Sequence, residues 1–256
     1  MIAGIIAARM SSSRLPGKVL LKICGKTVLE IMIERVKRSK TIDKIIIATS
    51  NNNKDNIIEE ICNEIEIECI RGPEEDLLAR YKMVSDKIKP KIIVKMGADS
   101  ILIDPLTIDR VVNTFLNGDY DYVSNYGIPK TYPEGCTLDV YTSDTLNEAF
   151  QEAKKPSERE HINPYIWNRP EKYRSFQVDY KKNLSNYRLS LDYYEDFLVI
   201  KSIFESLYPK NPNFTMEDII DWLDSNPKIA EINSHIPPSE GVLKSLSDEK
   251  QNSFNE

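Results

Sequence analysis

Short apolar runs that alternate with helical patterns are the feature that most narrows the folds open to this chain. Four such runs, at 2–8, 44–49, 66–70 and 91–96, have the length of buried strands. Their continuous apolar character is typical of strands that are covered on both faces. The first half of the chain therefore predicts an α/β fold with a parallel sheet and helices on both of its faces.

Capping signals mark the helix boundaries in this half. Thr27 and Glu30 form a capping-box pattern, and Asp104 ahead of Pro105 has the form of an N-cap followed by a first helical residue. Apolar residues recur at helical spacing over 77–88. We expect helices to begin after Thr27 and Asp104 and another to span 77–88.

Farther along, the pattern is less regular and predicts a mixed-sheet elaboration. The short strand candidates are DYVSN at 121–125, TLDVYT at 137–142, YRSFQV at 173–178 and YRLSL at 187–191. A long helix at 193–207 and a shorter one capped by Thr215 are expected to follow. We predict one domain over 1–236, with 125–190 as the elaboration, and a polar, flexible tail over 237–256.

Composition excludes several classes of partner. The formal net charge of −6 opposes nonspecific binding to nucleic acid. No apolar run reaches the roughly 18 residues of a membrane-spanning helix, and the start of the chain lacks the layout of a secretory signal. The cysteines show neither CxxC pairing nor metal-ligand spacing with the histidines, so we expect them to be reduced packing residues. We predict a cytoplasmic protein.

The opening segment differs in charge from the rest of the chain. Residues 1–29 contain no Asp or Glu, but they contain Arg9, Arg14, Lys18, Lys22 and Lys26. A cationic segment of this kind suits phosphate binding, although a solvated basic face would have the same composition.

A loop suited to phosphate follows the first predicted strand, where an open α/β sheet places its ligand. In AARMSSSRLPGKVL at 7–20, small residues allow the backbone to approach a triphosphate, and Arg14 and Lys18 offset its charge. The loop is not a Walker A motif, because Ser12 stands at the first glycine position and Val19 follows the lysine. The sequence also lacks a GxGxxG dinucleotide motif.

Six motifs occur in order along the chain: AARMSSSRLPGK, IIIATSNNNKD, RGPEEDLLARY, GADSILIDP, EREHINPYI and SLDYYEDF. In order and spacing they resemble the cytidylyltransferases that activate acidic sugars, including 3-deoxy-manno-octulosonate and acylneuraminate cytidylyltransferases, and above all the spore-coat polysaccharide branch. The resemblance implies a Rossmann-like nucleotidyltransferase fold with a mixed central sheet, CTP as donor and Mg²⁺ as cofactor. It also implies transfer of CMP to a small acidic sugar or related acid, release of pyrophosphate, and a homodimer built through the second half, where 125–190 would be the acceptor-side and dimerisation elaboration.

Two aspartates follow predicted strands and can reach the carboxyl edge of the sheet. Asp99 comes after the run at 91–96, and Asp192 comes after the run at 187–191. Two carboxylates there can hold Mg²⁺, which would neutralise the leaving pyrophosphate and orient the acceptor for in-line attack on the α-phosphorus. Either aspartate could instead cap a loop or a helix. The resemblance favours the metal role.

Other nucleotide contacts are carried over from matching motif positions. Arg14 and Lys18 are the expected catalytic residues. The resemblance implies nucleotide contacts by Ala7, Ala8, Arg9, Ser11, Ser12, Ser13, Thr49, Arg71 and Gly72. Ordinary strand packing is the alternative for the alanines and the threonine. Asp76 suits the first turn of a helix, and we assign it mainly to structure.

The EREHINPYI segment matches the acceptor-side motif of the spore-coat branch. Arg159, Glu160 and His161 are therefore expected to contact the acceptor, and Arg159 could bind an acid bidentately. A lone histidine is also commonly structural, so both roles stay open for His161. Asp139 is a further acceptor candidate, although polar residues that alternate along a strand need only face solvent.

The sequence departs from the family around both aspartates. Members of the family usually have a proline shortly after the first aspartate, but Ser100 and Ile101 follow Asp99 here. They usually have Thr-Pro after the second aspartate, but Tyr193 and Tyr194 follow Asp192 here. These changes surround the acceptor more than the triphosphate, so CTP is a firmer expectation than any particular sugar acid.

Three alternatives remain open at the level of sequence. A metal-dependent glycosyltransferase that uses a nucleotide sugar would need a DxD triplet, and Asp119-Tyr120-Asp121 formally fits. A noncatalytic nucleotide-binding module would need only the basic loop. A cytidylyltransferase that acts on a non-sugar phosphate or phosphonate would share the nucleotide site and differ in the acceptor site.

Overall fold

The computed structural model describes residues 1–238, so the predicted tail lies outside the described residues from residue 239 onward. The strands are β1 Ile2–Ala7, β2 Lys22–Ile23, β3 Lys26–Thr27, β4 Lys44–Ser50, β5 Glu68–Gly72, β6 Ile92–Gly97, β7 Tyr122–Ser124, β8 Asp139–Thr142 and β9 Ser175–Gln177. The α-helices are α1 Val28–Val36, α2 Asn56–Glu64, α3 Leu77–Ile88, α4 Pro105–Asn117, α5 Ser143–Glu152, α6 Pro156–His161, α7 Asn163–Trp167, α8 Tyr194–Leu207, α9 Met216–Ser225 and α10 Pro227–Ala230. Within residues 1–238, no helix is long and apolar enough to cross a membrane.

A mixed sheet of seven strands, in the order β5-β4-β1-β6-β8-β7-β9, forms the centre of the molecule. The first four of these strands are mutually parallel, whereas β8 runs antiparallel between β6 and β7. The carboxyl ends of β1, β4, β5 and β6 therefore meet at one edge. Lys95 pairs with Asp139 in register, so the start of the reversed strand β8 lies near the same edge.

Apolar side chains cover both faces of this sheet. Ile6 packs in a cluster with residues of α1, α2 and α4, whereas its neighbour Ile5 packs in another cluster with residues of α3, α5 and α7. Successive side chains of a strand point to opposite faces, so these two clusters lie on opposite sides of the sheet. A third cluster joins α8 and α9 to α1. The predicted α/β fold with helices on both faces of a mixed sheet is confirmed.

The predicted helix starts are also confirmed. Thr27 and Glu30 form a capping box at α1, and Thr215 and Asp218 form one at α9. Asp104 accepts a hydrogen bond from the Leu106 N–H at the start of α4, and its other oxygen accepts one from the first residue of α9. The one carboxylate thereby caps a helix and ties the C-terminal helices to the loop after β6.

The prediction of a strand at 187–191 is wrong. Among the described residues, this segment forms only an isolated bridge, between Arg188 and Glu134, and it pairs with loops instead of the sheet. The Leu189 N–H donates to the Glu134 carbonyl at 2.7 Å, and the Leu191 N–H donates to the Asp99 carbonyl at 3.0 Å. The leucines produce the strand-like alternation because both side chains are buried in the third cluster. This pairing places Asp192 beside the loop that carries Asp99.

Candidate active site

A cavity of about 480 Å³ opens at the carboxyl edge of the sheet. The predicted residues that line it are Ala7, Ala8, Arg9, Ser12, Ser13, Arg14, Lys18, Asp99, Glu160, His161 and Asp192. Most of the predicted nucleotide site is thus brought together, although the segments are far apart along the chain. The parallel strands explain this, because each delivers its following loop to the same edge.

A second cavity of about 280 Å³ adjoins the first. The two share Arg14, Gly97, Asp99, His161 and Asp192, and we call these five residues the junction. Beyond the junction, the second cavity is lined by residues of the mixed-sheet elaboration, among them Tyr126, Asp139, Trp167 and Arg188. Two ligands held in these cavities would meet at the junction.

Lys18 ties the two predicted metal ligands together. Its Nζ lies 3.2 Å from Oδ2 of Asp99 and 2.9 Å from Oδ1 of Asp192, and it donates to the Leu191 carbonyl at 2.8 Å. Burial alone would lower the pKa of Lys18, but the charges of Asp99 and Asp192 outweigh it and raise that pKa above its usual value. The lysine is therefore a fixed cation between two carboxylates.

Asp192 is held by several donors in addition to Lys18. Oδ1 lies 2.7 Å from Nη2 of Arg14, and Oδ2 accepts a hydrogen bond from the Ser190 hydroxyl at 3.0 Å. Burial favours the neutral acid, but Lys18 and Arg14 hold the pKa of Asp192 well below its usual range. Asp192 is consequently an anion at neutral pH.

Asp196 and Tyr193 support this arrangement, a role that the sequence did not predict for either residue. Asp196, which is fully buried, accepts hydrogen bonds from the Asp192 and Tyr193 N–H groups and from Nε and Nη2 of Arg188. It thereby fixes the backbone that carries Asp192. The available signal was its place three residues after Tyr193, where an acid caps a helix. The centre of the Tyr193 ring lies 5.6 Å from the Arg14 guanidinium carbon, so the ring helps to hold that side chain.

The carboxylate pair fits a magnesium ion that also has phosphate ligands. Among residues 1–238, no group of three or more His, Cys, Asp or Glu side chains is placed to hold a metal by itself. Mg²⁺ is commonly bound through one or two carboxylates, with substrate phosphates and water completing its shell. Oδ2 of Asp99 and Oδ1 of Asp192 lie 3.2 and 2.9 Å from the same ammonium nitrogen, so both carboxylates border the position of one cation, which the Lys18 ammonium holds in this structure.

Thr49 and Arg71 stabilise loops behind the first cavity and do not line it. The Thr49 hydroxyl donates to Asp55, and the other carboxylate oxygen of Asp55 accepts from the Met10 N–H in the basic loop. Arg71 donates to the carbonyls of Ser50 and Asn52. Because its guanidinium is used in this way, the predicted nucleotide contact of Arg71 is not supported. Ser11 and Gly72 are likewise outside the lining.

The predicted acceptor residues fall into two groups. Asp139 lines the second cavity, where it pairs with Lys95 at 3.0 Å and accepts a hydrogen bond from Asn163 at 2.8 Å. His161 borders both cavities, and burial together with Lys95 and Arg9 lowers its pKa. An imidazole of this kind is neutral at pH 7.

Arg159 lies outside both cavities. Its Nη2 is 2.6 Å from Oδ2 of Asp76, and its Nη1 donates to the carbonyls of Phe150 and Ala153. The prediction that it binds the acceptor is therefore corrected to a structural role that joins α6 to the start of α3. Asp76 also caps α3 by accepting from the Ala79 N–H, as its structural assignment predicted.

Comparison with known proteins gives a consistent picture. The family described as cytidylyltransferase matches residues 3–223. The chain is 37% identical over 240 residues to the uncharacterised protein MJ1063 of Methanocaldococcus jannaschii, across 92% of this chain and 95% of the relative. It is 31% identical over 235 residues to the spore coat polysaccharide biosynthesis protein SpsF of Bacillus subtilis, across 88% and 95%.

A solved structure agrees with these relatives. The structure of a cytidylyltransferase from Leptospira borgpetersenii serovar Hardjo-bovis superposes with a TM-score of 0.85 at 31% identity, covering 90% of this chain and 96% of that one. The resemblance that the six motifs carry is thereby confirmed, along with the nucleotidyltransferase fold. The chain belongs to the cytidylyltransferase family.

Proposed function

We propose that this protein transfers CMP from CTP to a small acidic sugar or related acid and releases pyrophosphate. The observation that carries the proposal is the junction, where two adjoining cavities share a carboxylate pair tied by Lys18. CTP would occupy the first cavity and the acceptor the second. The α-phosphorus and the attacking oxygen would then meet beside Asp99 and Asp192.

The basic loop supplies the groups that a triphosphate requires. Arg14 and Lys18 line the first cavity as cations, while Ser12 and Ser13 line it as small polar residues. Fixed cations that need no rearrangement during the reaction stabilise the charge that develops on the leaving pyrophosphate. We assign this role to Arg14 and Lys18.

Mg²⁺ is the expected cofactor, held by Asp99 and Asp192 together with phosphate oxygens. When bound, it would neutralise phosphate charge and favour departure of pyrophosphate. Asp99 and Asp192 would hold the cation, and Arg188 and Ser190 keep Asp192 in place.

The second cavity has features that suit an acidic sugar. Arg14, Lys95 and Arg188 line it as cations beside carboxylates that they already contact, among them Asp139 and Asp192, and such groups can also bind the carboxylate of a ligand. Tyr126 and Trp167 also line it, with their rings stacked 5.3 Å apart at an angle of 11°. The flat apolar surface of such a pair matches the face of a sugar ring.

The glycosyltransferase alternative receives no support from the site. Asp119 and Asp121 both bind Arg174 and do not line either cavity. A DxD triplet that held the metal of a nucleotide sugar would have to face the nucleotide.

We further propose a homodimer built through the second half of the chain. β9 is the outer strand of the sheet, so it has one open edge. Phe176 on this strand is 43% exposed and Ile128, close to it in the elaboration, is 93% exposed, so apolar side chains are available for contact beside the open edge. Light scattering should give twice the mass of one chain, and a monomer at micromolar concentration would contradict the assembly.

The test of the proposed function is thermal stability in Mg²⁺ with each of the four nucleoside triphosphates. A ligand at 100 times its dissociation constant stabilises the folded state by about 2.7 kcal/mol. We expect selective stabilisation by CTP that weakens in Asp99→Asn and persists in Asp119→Asn, the matched control. Pyrophosphate release with a panel of sugar acids, phosphates and phosphonates then identifies the acceptor class. Equal stabilisation by all four nucleotides would remove CTP as the donor.

A further inference from the structure

The chain after α10 returns to the residues that support Asp192. Asn233, which is 2% exposed, donates through its side-chain amide to the Arg188 carbonyl at 3.0 Å and to Oδ1 of Asp196 at 2.8 Å. These two bonds use both N–H donors of the amide. Farther along, the Pro237 carbonyl accepts a hydrogen bond from Nη1 of Arg188 at 3.3 Å. The segment that follows α10 therefore binds both members of the Arg188–Asp196 pair.

The Arg188–Asp196 pair in turn fixes Asp192 at two points. Nε and Nη2 of Arg188 lie 2.8 and 3.0 Å from the two oxygens of Asp196, which is fully buried. Oδ2 of Asp196 also accepts a hydrogen bond from the Asp192 N–H at 2.9 Å. Nη2 of Arg188 lies 3.5 Å from Oδ2 of Asp192. The pair therefore holds both the backbone and the carboxylate of Asp192 at the junction.

Asn233 supplies one of the donors to Oδ1 of Asp196. Oδ1 accepts from Arg188 and Asn233. Oδ2 accepts from Arg188 and from the Asp192 and Tyr193 N–H groups. A buried carboxylate that loses a donor carries a desolvation cost, because it is out of contact with solvent. The two oxygens move as one unit, so a rotation that improves the contacts of Oδ1 disturbs those of Oδ2, and with them the backbone of Asp192.

Asn233 belongs to a part of the chain that is separate from the rest of the site. It lines neither of the two cavities that meet at the junction. It also lies beyond residue 223, where the match to the cytidylyltransferase family ends. Any effect of Asn233 on the junction must therefore pass through the Arg188–Asp196 pair.

We propose that Asn233 is a positioning residue of the active site, which strengthens metal binding by holding the Arg188–Asp196 pair against Asp192. This inference rests on the proposed function, because it uses the metal role of Asp192. The Pro237 carbonyl acts on the same pair through Arg188. The segment after α10 is thereby part of the support of the metal ligand.

The first test is titration of Mn²⁺ in the presence of CTP, followed by electron paramagnetic resonance, for the wild type and Asn233→Leu. Leucine has a similar shape and no donors. Loss of an outer partner of a metal ligand typically costs roughly 10- to 100-fold in metal affinity, and we expect about 10-fold here. Asn233→Ser keeps one donor and should lie between the two. Asn226→Leu is the matched control, because Asn226 donates to the Trp222 carbonyl outside this network, and it should bind Mn²⁺ as the wild type does.

A double-mutant cycle separates positioning from a general loss of stability. We expect Asn233→Leu to cause no further loss of Mn²⁺ affinity when Asp192→Asn is already present, because Asn233 acts through that carboxylate. The same fold loss in both backgrounds would overturn the inference. Wild-type Mn²⁺ affinity in folded Asn233→Leu would also overturn it.

Hydrogen exchange in the protein without metal or nucleotide tests the same contact directly. The Asp192 and Tyr193 N–H groups both donate to Asp196, so peptides that contain them should exchange faster in Asn233→Leu than in the wild type. Peptides from β1 and β6 should be unchanged. Wild-type exchange at Asp192 and Tyr193 would contradict the positioning role. Absence of Mn²⁺ binding by the wild type with CTP would instead refute the proposed function, and the exchange result would still decide the role of Asn233.

Discussion

Replacement of Lys18 by methionine should destabilise the protein and make it respond to Mg²⁺ in the absence of nucleotide. The substitution keeps a long apolar stem and removes the ammonium that contacts Asp99 and Asp192. The two carboxylates then repel each other without the cation between them. A divalent cation would relieve that repulsion, so added Mg²⁺ should restore part of the lost stability.

The expected magnitude follows from the exposure of the three groups. The side chains of Lys18 and Asp192 are 11% and 16% exposed, whereas that of Asp99 is 39% exposed. Breaking a fully buried pair costs about 3–5 kcal/mol. Asp192 retains Arg14, and Asp99 is partly solvated, so we expect a loss of about 2 kcal/mol. For a protein of this size, that corresponds to a fall in Tm of about 4–8 °C.

The assay is thermal unfolding of the wild type and Lys18→Met at neutral pH, with and without Mg²⁺. Lys44→Met is the matched control, because Lys44 pairs with Glu68 at the surface and is 42% exposed. Such a surface pair contributes about 0–1 kcal/mol, so the control should change little in either condition. A Lys18→Met protein as stable as the wild type, or indifferent to Mg²⁺, would refute the reasoning.

Further predictions concern the neighbouring residues. The depressed pKa of Asp192 means that its contribution to stability is present above the unfolded value of about 3.9 and is lost as pH falls. The difference in unfolding free energy between wild type and Asp192→Asn should therefore shrink from pH 7 to pH 3, and a constant difference would contradict this. Gly135→Ala should cost about 2–3 kcal/mol in chemical denaturation, because its Cβ would lie 2.3 Å from the Ser190 nitrogen, in a backbone with φ of +87°. Arg71→Ala should lower stability by about 2 kcal/mol and leave CTP affinity unchanged in titration, since Arg71 binds carbonyls behind the cavity. A large loss of CTP affinity would return Arg71 to the nucleotide site.

The parts of the fold with strong local signals could be predicted from the sequence. Continuous apolar runs identified β1, β4 and β6, and side-chain caps such as Thr27 and Asp104 identified helix starts, because both signals depend on nearby residues. The prediction of a strand at 187–191 was wrong because the structure of this segment depends on residues that are distant along the chain. Its apolar alternation reflects burial against α8 and α9, and its hydrogen bonds go to distant loops.

In the site, too, some features could be predicted from the sequence and others could not. The basic loop and Asp99 could be placed at the carboxyl edge of the sheet because each follows a predicted strand. The direction in which a long side chain points could not be predicted. Arg71 and Arg159 both lie in matching motifs, yet each guanidinium turns to partners distant along the chain.

We expect the metal and the α-phosphate of CTP to lie at the junction between the two cavities, with the rest of the nucleotide in the first cavity. A crystal structure with CTP and Mn²⁺, in which the metal is located by its anomalous scattering, tests this without knowledge of the acceptor. We predict a metal peak in contact with Asp99 and Asp192, and a triphosphate against Arg14 and Lys18. A metal bound elsewhere, or CTP outside the first cavity, would contradict the account.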